Sequence, residues 1–436
     1  MWDLSAFKTG SMIAGRPIIF LVAWMTAIVA GAKAESANRL AIFGEQFAGH
    51  PAQRFEMLAA PRDERPAMAK TGWGSAALTR AEAAAAMAAL WSERVEHIRQ
   101  TRCAEMAARV VEADGWRMRF EMLSFTNRPA PEGRSLFLAL HGGGGAPPAV
   151  NDSQWQNQIR LARGYRPPEG IYLAPRAPTD TWNLWHQAHI DALFARLIES
   201  LVVLSNVNPN RVYVFGYSAG GDGVYQIAPR TADRWAAAAM MAGHPNEASP
   251  RGLRNVPFAI HVGADDGGYK RNQAAADWGR RLDELRRQDP QGYIHWVELH
   301  AGKGHWMDLQ DRKAIPWMDG YTRTPLPDKI VWLQDDVTHP QLYWLEVPIE
   351  DAKAGEEIVA HRSGQTVQLE GPNARKVTVL LNDLMLDLDQ PVTIRAGGRT
   401  LFHGRAARTV ATLERTLAAR GDTNLAFSAE VTVTLP

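Results

Sequence analysis

The sequence predicts an α/β protein: a mainly parallel sheet with helices on both faces, an N-terminal helical extension before it and a small β-rich domain after it. Three observations carry this. From Trp116 to about Trp306, short apolar runs alternate with stretches of helical periodicity, the pattern of strands joined by crossover helices. Upstream, Thr79 to Ala113 reads as one long Ala-rich helix. Downstream of Trp317 the pattern changes to short β segments, with a single helix between Thr409 and Arg420.

Size and charge narrow the functional classes. A chain of 436 residues suggests two or three domains. Apolar content of 46% is enough for a sizeable core, and a net charge of +1 without a basic block argues against nucleic acid as a partner. In the first 34 residues, Lys8 and Arg16 precede the apolar stretch Ile18 to Val29, and Ala32-Lys33-Ala34 has the form of a cleavage site. That three-part pattern predicts a signal peptide over 1–34, and hence a secreted or periplasmic protein with no stable membrane span after cleavage. If the segment stays uncleaved it is an N-terminal anchor. Removing Lys8, Arg16, Lys33 and Asp3 takes away a net +2, leaving about −1. Cys103 is the only cysteine, so no intramolecular disulfide forms.

Residues 35–115 are assigned to the N-terminal extension. Thr79-Arg80-Ala81-Glu82 is a capping box. Met87, Trp91, Val95, Ile98, Met106 and Val110 share one face of the predicted helix, with Cys103 at its edge, and Asp114-Gly115 ends it. The catalytic region, 116–335, has strands at Arg117 to Phe125, Ser135 to Leu140, Gly170 to Ala174, Arg211 to Phe215, Ala236 to Ala242, Val256 to Gly263 and Tyr293 to Leu299. Helices are expected over Gln154 to Tyr165, Ile190 to Ser205 and Gln273 to Gln288. The accessory region, 340–436, has strands at Glu356 to His361, Thr366 to Leu369, Lys376 to Leu381, Pro391 to Arg395 and Ala426 to Leu435. It carries no aromatic binding stripe, which favours a structural role over the holding of a polymer or glycan.

The chemistry is concentrated in four places. Gly216-Tyr217-Ser218-Ala219-Gly220 joins a predicted strand to a predicted helix, a turn that exposes a serine hydroxyl at its tip. About 75 residues upstream, His141-Gly142-Gly143-Gly144-Gly145 follows another strand, where a glycine loop can offer a backbone N–H to an oxyanion. Gly263-Ala264-Asp265-Asp266-Gly267 follows the seventh strand; Asp266 is preferred on spacing and Asp265 is the alternative. The eighth strand ends near His300, and His305 follows on a Gly-flanked loop. Ser218, Asp266 and His305 thus stand in the order nucleophile, acid, base, with Gly143 and Ala219 as oxyanion donors.

Through His141-Gly142-Gly143-Gly144, Gly216-Tyr217-Ser218-Ala219-Gly220-Gly221 and Gly304-His305-Trp306, the stretch from about Ser135 to Trp306 resembles the α/β-hydrolase superfamily, in its polyhydroxybutyrate-depolymerase/feruloyl-esterase-like branch. The resemblance implies hydrolysis of carboxylic esters, small or polymeric, with no cofactor and no metal. Prolyl-oligopeptidase-like peptidases share the turn and the order of the trio, and a non-enzymatic binding protein on the same fold is the third reading. Trp155, Trp182, Trp185 and Trp306 are candidates to line the substrate pocket. His186, His189 and Asp191 are metal-ligand types at short spacing, but no further ligand cluster accompanies them. His244 is a weaker candidate base than His305.

Overall fold

The computed structural model describes residues 74–436; the predicted signal peptide and the stretch up to residue 73 lie outside the described residues. The described chain opens on helix α1 (Arg80–Ala107). Its predicted capping box is present: Glu82 N–H donates to Thr79 Oγ1 at 3.2 Å and Thr79 N–H to Glu82 Oε2 at 2.7 Å.

The helix ends earlier than expected. Arg109 adopts φ 57°, and Val110–Ala113 becomes a strand, β1, paired antiparallel with β2 (Trp116–Phe125). Asp114 (φ 51°) and Gly115 (φ 78°) form the two-residue turn between them. Asp-Gly with both residues left-handed is a hairpin signal, and here it prevails over the helix-end reading because pairing buries Val110 and Val111. Val110 therefore leaves the helical stripe. The helix face that packs is Ala83, Ala86, Leu90, Ile98 and Met106, with Met87, Trp91 and Val95 half-buried beside it. Cys103 faces solvent rather than the edge of this stripe.

From β2 the chain builds one eight-stranded sheet. Its further elements are β3 (Arg134–Leu140), α2 (Pro148–Tyr165), β4 (Gly170–Arg176), α3 (Ala188–Ser205), β5 (Val207–Tyr217), α4 (Ala219–Arg230), β6 (Ala237–Met241), β7 (Phe258–Gly263), α5 (Arg271–Gln288), β8 (His295–His300) and the short α6 (Ala314–Asp319). The strand order is β1-β2-β4-β3-β5-β6-β7-β8, antiparallel through β1, β2 and β4 and parallel from β4 to β8. Buried on both sides, β3 from Leu136 to Leu140 and β5 from Val212 to Phe215 are apolar. Leu136, Leu138, Val212 and Val214 join the core with residues of α3, α4 and α5, whereas Phe137, Ala139, Tyr213 and Phe215 pack with residues of α2 and α6. The functional consequence is that the loops after β3, β5, β7 and β8 emerge together at the carboxyl ends of the strands.

The C-terminal part holds two sheets. One has five strands: β9 (Lys329–Leu333), β12 (Glu357–Ser363), β13 (Thr366–Glu370), β15 (Val392–Ala396) and β16 (Arg399–Gly404). The other has four: β10 (Gln341–Leu342), β11 (Leu345–Glu346), β14 (Lys376–Leu381) and β17 (Ala429–Thr434), accompanied by α7 (Val410–Arg420). Lys329–Leu333 pairs with β12 and so belongs to this part rather than to the catalytic region that was expected to run to 335. One continuous apolar core runs from Leu136 of the large sheet and Trp235, just ahead of β6, through Trp332 and Trp344 to Phe427.

Glu199 ties α1 to α3, one of the helices covering the large sheet. Its buried carboxylate meets Arg94, and Arg102 Nη1 lies 2.7 Å from Oε2. Truncating it leaves two guanidinium groups without their counter-charge in a desolvated place. Glu199→Ala is therefore expected to destabilise the protein by about 3 kcal/mol, measured as a fall in the urea midpoint with the denaturant slope unchanged.

Candidate active site

Ser218 stands between β5 and α4 at φ 59° and ψ −123°, outside the comfortable regions for a residue with a side chain. Its neighbours make that turn feasible. A Cβ at Gly216 would lie 2.3 Å from the Gly220 carbonyl oxygen, and one at Gly220 would lie 2.2 Å from that of Leu140. Only glycine allows strand and helix to pass so closely. The Ser218 N–H donates to the Met241 carbonyl at 2.9 Å and fixes the turn to β6.

The loops after β7 and β8 bring the other two predicted residues to the serine. His305 Nε2 lies 3.0 Å from Ser218 Oγ, and His305 Nδ1 lies 2.8 Å from Asp266 Oδ2. Asp266 is buried, whereas Asp265 is exposed and holds Lys303 through its backbone N–H. A backbone bond from Asn272 N–H to Asp266 O helps hold the acid, and Arg271 Nη1 stands 3.9 Å from Asp266 Oδ1. Tyr217 places the imidazole: its hydroxyl donates to the His305 carbonyl at 2.5 Å and accepts from Met307 N–H at 3.1 Å. His244 bonds within its own loop, accepting from Asn246 N–H at 2.9 Å.

The glycine loop after β3 lies against the serine. A Cβ on Gly142 would meet Ser218 Cβ at 3.2 Å, so this loop packs directly against the serine. Gly143 has φ 104°, and a Cβ there would sit 2.1 Å from Asn151 Oδ1. Gly144 N–H is already committed, donating to Asn151 Oδ1 at 2.8 Å. Ala219 opens α4, where the first backbone N–H groups have no acceptor inside the helix. His141 anchors the loop from below. Burial pushes its pKa down to about 4, so the ring is neutral, and Nε2 accepts from Ala177 N–H at 3.1 Å.

Sequence reasoning missed Asn151, Asp180 and Arg176. The Asn151 amide nitrogen donates to Asp180 Oδ1 at 2.9 Å, and Arg176 Nη2 reaches the same oxygen at 2.5 Å. Asn151 is fully buried near the start of α2. A lone polar residue there has no sequence signature; only the shape of the glycine run hints that something must hold it.

The four tryptophans divide into two pairs. Trp182 (62% exposed) lies beside Gly145, and Trp306 (48% exposed) follows His305 with its ring 5.7 Å from that of Tyr217. Trp185 and Trp155 do not line the site. Trp185 is fully buried and donates to the His141 carbonyl at 2.9 Å; Trp155 is buried against β4 and donates to the Ala174 carbonyl at 2.9 Å. Indoles with their N–H satisfied in the core are packing residues. His186, His189 and Asp191 do not converge either. Asp191 pairs with Arg230 and His339, and His189 stacks on Trp116 at 3.9 Å.

The strand order, the strained serine turn and the positions of the acid and histidine loops are those of the α/β-hydrolase fold. No family model matches the chain. Over 170 residues it is 31% identical to a protein named "Putative esterase NocK" from Nocardia uniformis subsp. tsuyamanensis, an overlap covering 37% of this chain and 49% of that one. The chain thus spans about half the length of the curated relative it matches. Among solved structures it is similar to a thermostable esterase (17% identity, TM-score 0.37, covering 49% of this chain and 62% of that one). Est1E from Butyrivibrio proteoclasticus is another (13% identity, TM-score 0.33, covering 48% and 95%).

One charge near the serine has a pH signature. Asp222, in the first turn of α4, accepts from His244 N–H at 2.6 Å, and burial raises its pKa to about 6. Folding then favours the protonated acid, so the stability cost is absent below about pH 4 and grows to its full value as pH rises past 6. Asp222→Asn is expected to raise stability at pH 8 by up to about 3 kcal/mol and to leave it unchanged at pH 4. Thermal melts of both proteins at the two pH values check this.

Proposed function

We propose that this protein is an exported serine hydrolase that cleaves carboxylic esters. The observation that carries the reading is the row Ser218 Oγ–His305 Nε2–Asp266 Oδ2, at 3.0 and 2.8 Å, facing a glycine loop. In the first half-reaction His305 Nε2 takes the hydroxyl proton as Ser218 Oγ attacks the acyl carbon. Asp266 holds the proton of His305 on Nδ1 and stabilises the ring once it becomes charged. The oxyanion accepts from the N–H groups of Gly143 and Ala219, both set before the reaction by the loop anchors and the helix start. His305 then hands its proton to the leaving alcohol. In the second half-reaction it deprotonates a water that attacks the acyl-serine, and Ser218 leaves with the proton returned. Nothing in this sequence of steps calls for a metal or a cofactor.

Trp182, exposed beside the glycine loop, and Trp306, exposed next to His305, supply flat apolar surfaces suited to an aromatic or polymeric ester. The esterase name carried by the partial relative from Nocardia agrees with ester over amide chemistry.

Two experiments follow. Purified protein is expected to hydrolyse p-nitrophenyl butyrate and to be labelled at Ser218 by a fluorophosphonate; Ser218→Ala should lower kcat by about 10⁴ or more with an unchanged melting temperature. Faster turnover of short peptide amides than of esters sinks the ester reading, and a folded protein that resists the probe sinks hydrolysis altogether. Asn151→Ala frees the glycine loop, so kcat is expected to fall roughly 10²-fold, the scale of losing one oxyanion donor, with KM nearly constant.

A further inference from the structure

A second set of titratable side chains lies in the last two strands, apart from the serine. His261 of β7 and His300 of β8 are buried, and Glu298 is half-buried on the same face of β8 as His300. The parallel register sets His261 opposite Glu298. One ligand-type atom from each of the three lies within 4.8 Å of the others. His261 Nδ1 and His300 Nε2 are 3.1 Å apart, while His300 Nδ1 lies 3.2 Å from Gln310 Oε1 and 3.5 Å from Glu298 Oε1.

The protons in this cluster do not balance. Gln310 Oε1 and the Glu298 carboxylate only accept, so His300 carries its proton on Nδ1 and turns the Nε2 lone pair toward His261. If His261 answers with a proton on Nδ1, its Nε2 becomes a buried acceptor, and that atom has no hydrogen-bond partner. If the proton sits on Nε2 instead, two lone pairs face each other at 3.1 Å.

We propose that His261 Nδ1, His300 Nε2 and the Glu298 carboxylate form a binding site for a divalent transition-metal ion, zinc by the chemistry of its ligands, that ties β7 to β8. A cation between the facing lone pairs removes the conflict. Two nitrogens at this separation both reach an ion at the usual Zn–N length of about 2.0–2.1 Å. The Nε2–H of His261 is then left to the indole of Trp296, whose ring lies at 85° to it with centroids 4.5 Å apart. His300 keeps Nδ1–H on the Gln310 amide oxygen, the outer bonding that orients metal-bound histidines. Imidazole and carboxylate together select zinc and its first-row neighbours over magnesium or calcium.

Lys313 Nζ, 2.9 Å from Glu298 Oε1, is the ion's competitor for the carboxylate, and its half-exposed side chain is free to withdraw into solvent. The site lies where two functional loops begin: the His300 carbonyl accepts the N–H groups of Ala264 and Lys303, from which the chain continues to Asp266 and His305. The ion's role is to stiffen that junction, with no part in bond making.

The test uses the full chain, stripped with a chelator and titrated with zinc, and with cobalt(II) as the spectroscopic probe. One equivalent of metal per chain is expected after gel filtration, with visible cobalt bands of a nitrogen–oxygen site and a raised melting temperature. Glu298→Gln should weaken binding by about tenfold or more, Lys313→Met should strengthen it, and His300→Ala should abolish it. Since truncating a buried histidine also disturbs packing, the two partly exposed variants carry the decision. Failure to retain stoichiometric zinc, or retention that neither Glu298→Gln nor Lys313→Met alters, overturns the proposal whatever the esterase activity proves to be.

Discussion

Everything at this site hangs on one unfavourable backbone conformation. Ser218 sits at φ 59°, ψ −123°, a conformation whose strain is on the order of 1–3 kcal/mol and which survives only where its surroundings leave no alternative. The surroundings here are β5 and α4, both buried, closed onto each other through glycines at 216 and 220 and bonded sideways to Met241. A parallel sheet packed on both faces can hold such a turn because neither flanking element can shift without opening the core.

The partners of the serine are arranged by main chain more than by side chain. The loops after β7 and β8 bond to each other, Asp265 N–H to Lys303 O at 2.9 Å and Ala264 N–H to His300 O at 2.9 Å, so acid and histidine are carried on one interlocked platform. Tyr217, the residue just before the serine, fastens that platform to the elbow through the His305 carbonyl. On the other side, the chain Arg176–Asp180–Asn151–Gly144 fixes the glycine loop. These interactions place hydrogen-bonding groups before any substrate arrives, which is what electrostatic preorganisation requires.

Local chemistry was legible in the sequence wherever chain-local rules govern it. The glycines around Ser218, the run after β3, and Asp266 and His305 beyond successive strands all follow from turn geometry and chain order, and the structure brings Ser218, His305 and Asp266 within hydrogen-bond reach in a row. Contacts between distant segments left no such trace. Asn151 and Tyr217 look like ordinary helix and strand residues until the loops they hold are in place. The helical pattern up to Val110 masked β1, because Asp114-Gly115 serves equally as a helix stop or a hairpin turn and only the pairing with β2 decides. The burial of Trp155 and Trp185 is hidden for a related reason: it depends on what lies opposite, which composition does not reveal.

The apolar core that continues from the large sheet into the C-terminal strands sets a limit on dissection of this chain. Tyr343 donates to the Ala232 carbonyl at 3.0 Å, and His339 meets the buried Asp191, so polar bonds cross the same boundary as the apolar side chains. The large-sheet half and the β-rich half therefore share one interior. A trimmed chain ending before β9 would bare the tryptophan-lined seam to water, and the two halves have to be inherited, expressed and engineered as a single piece.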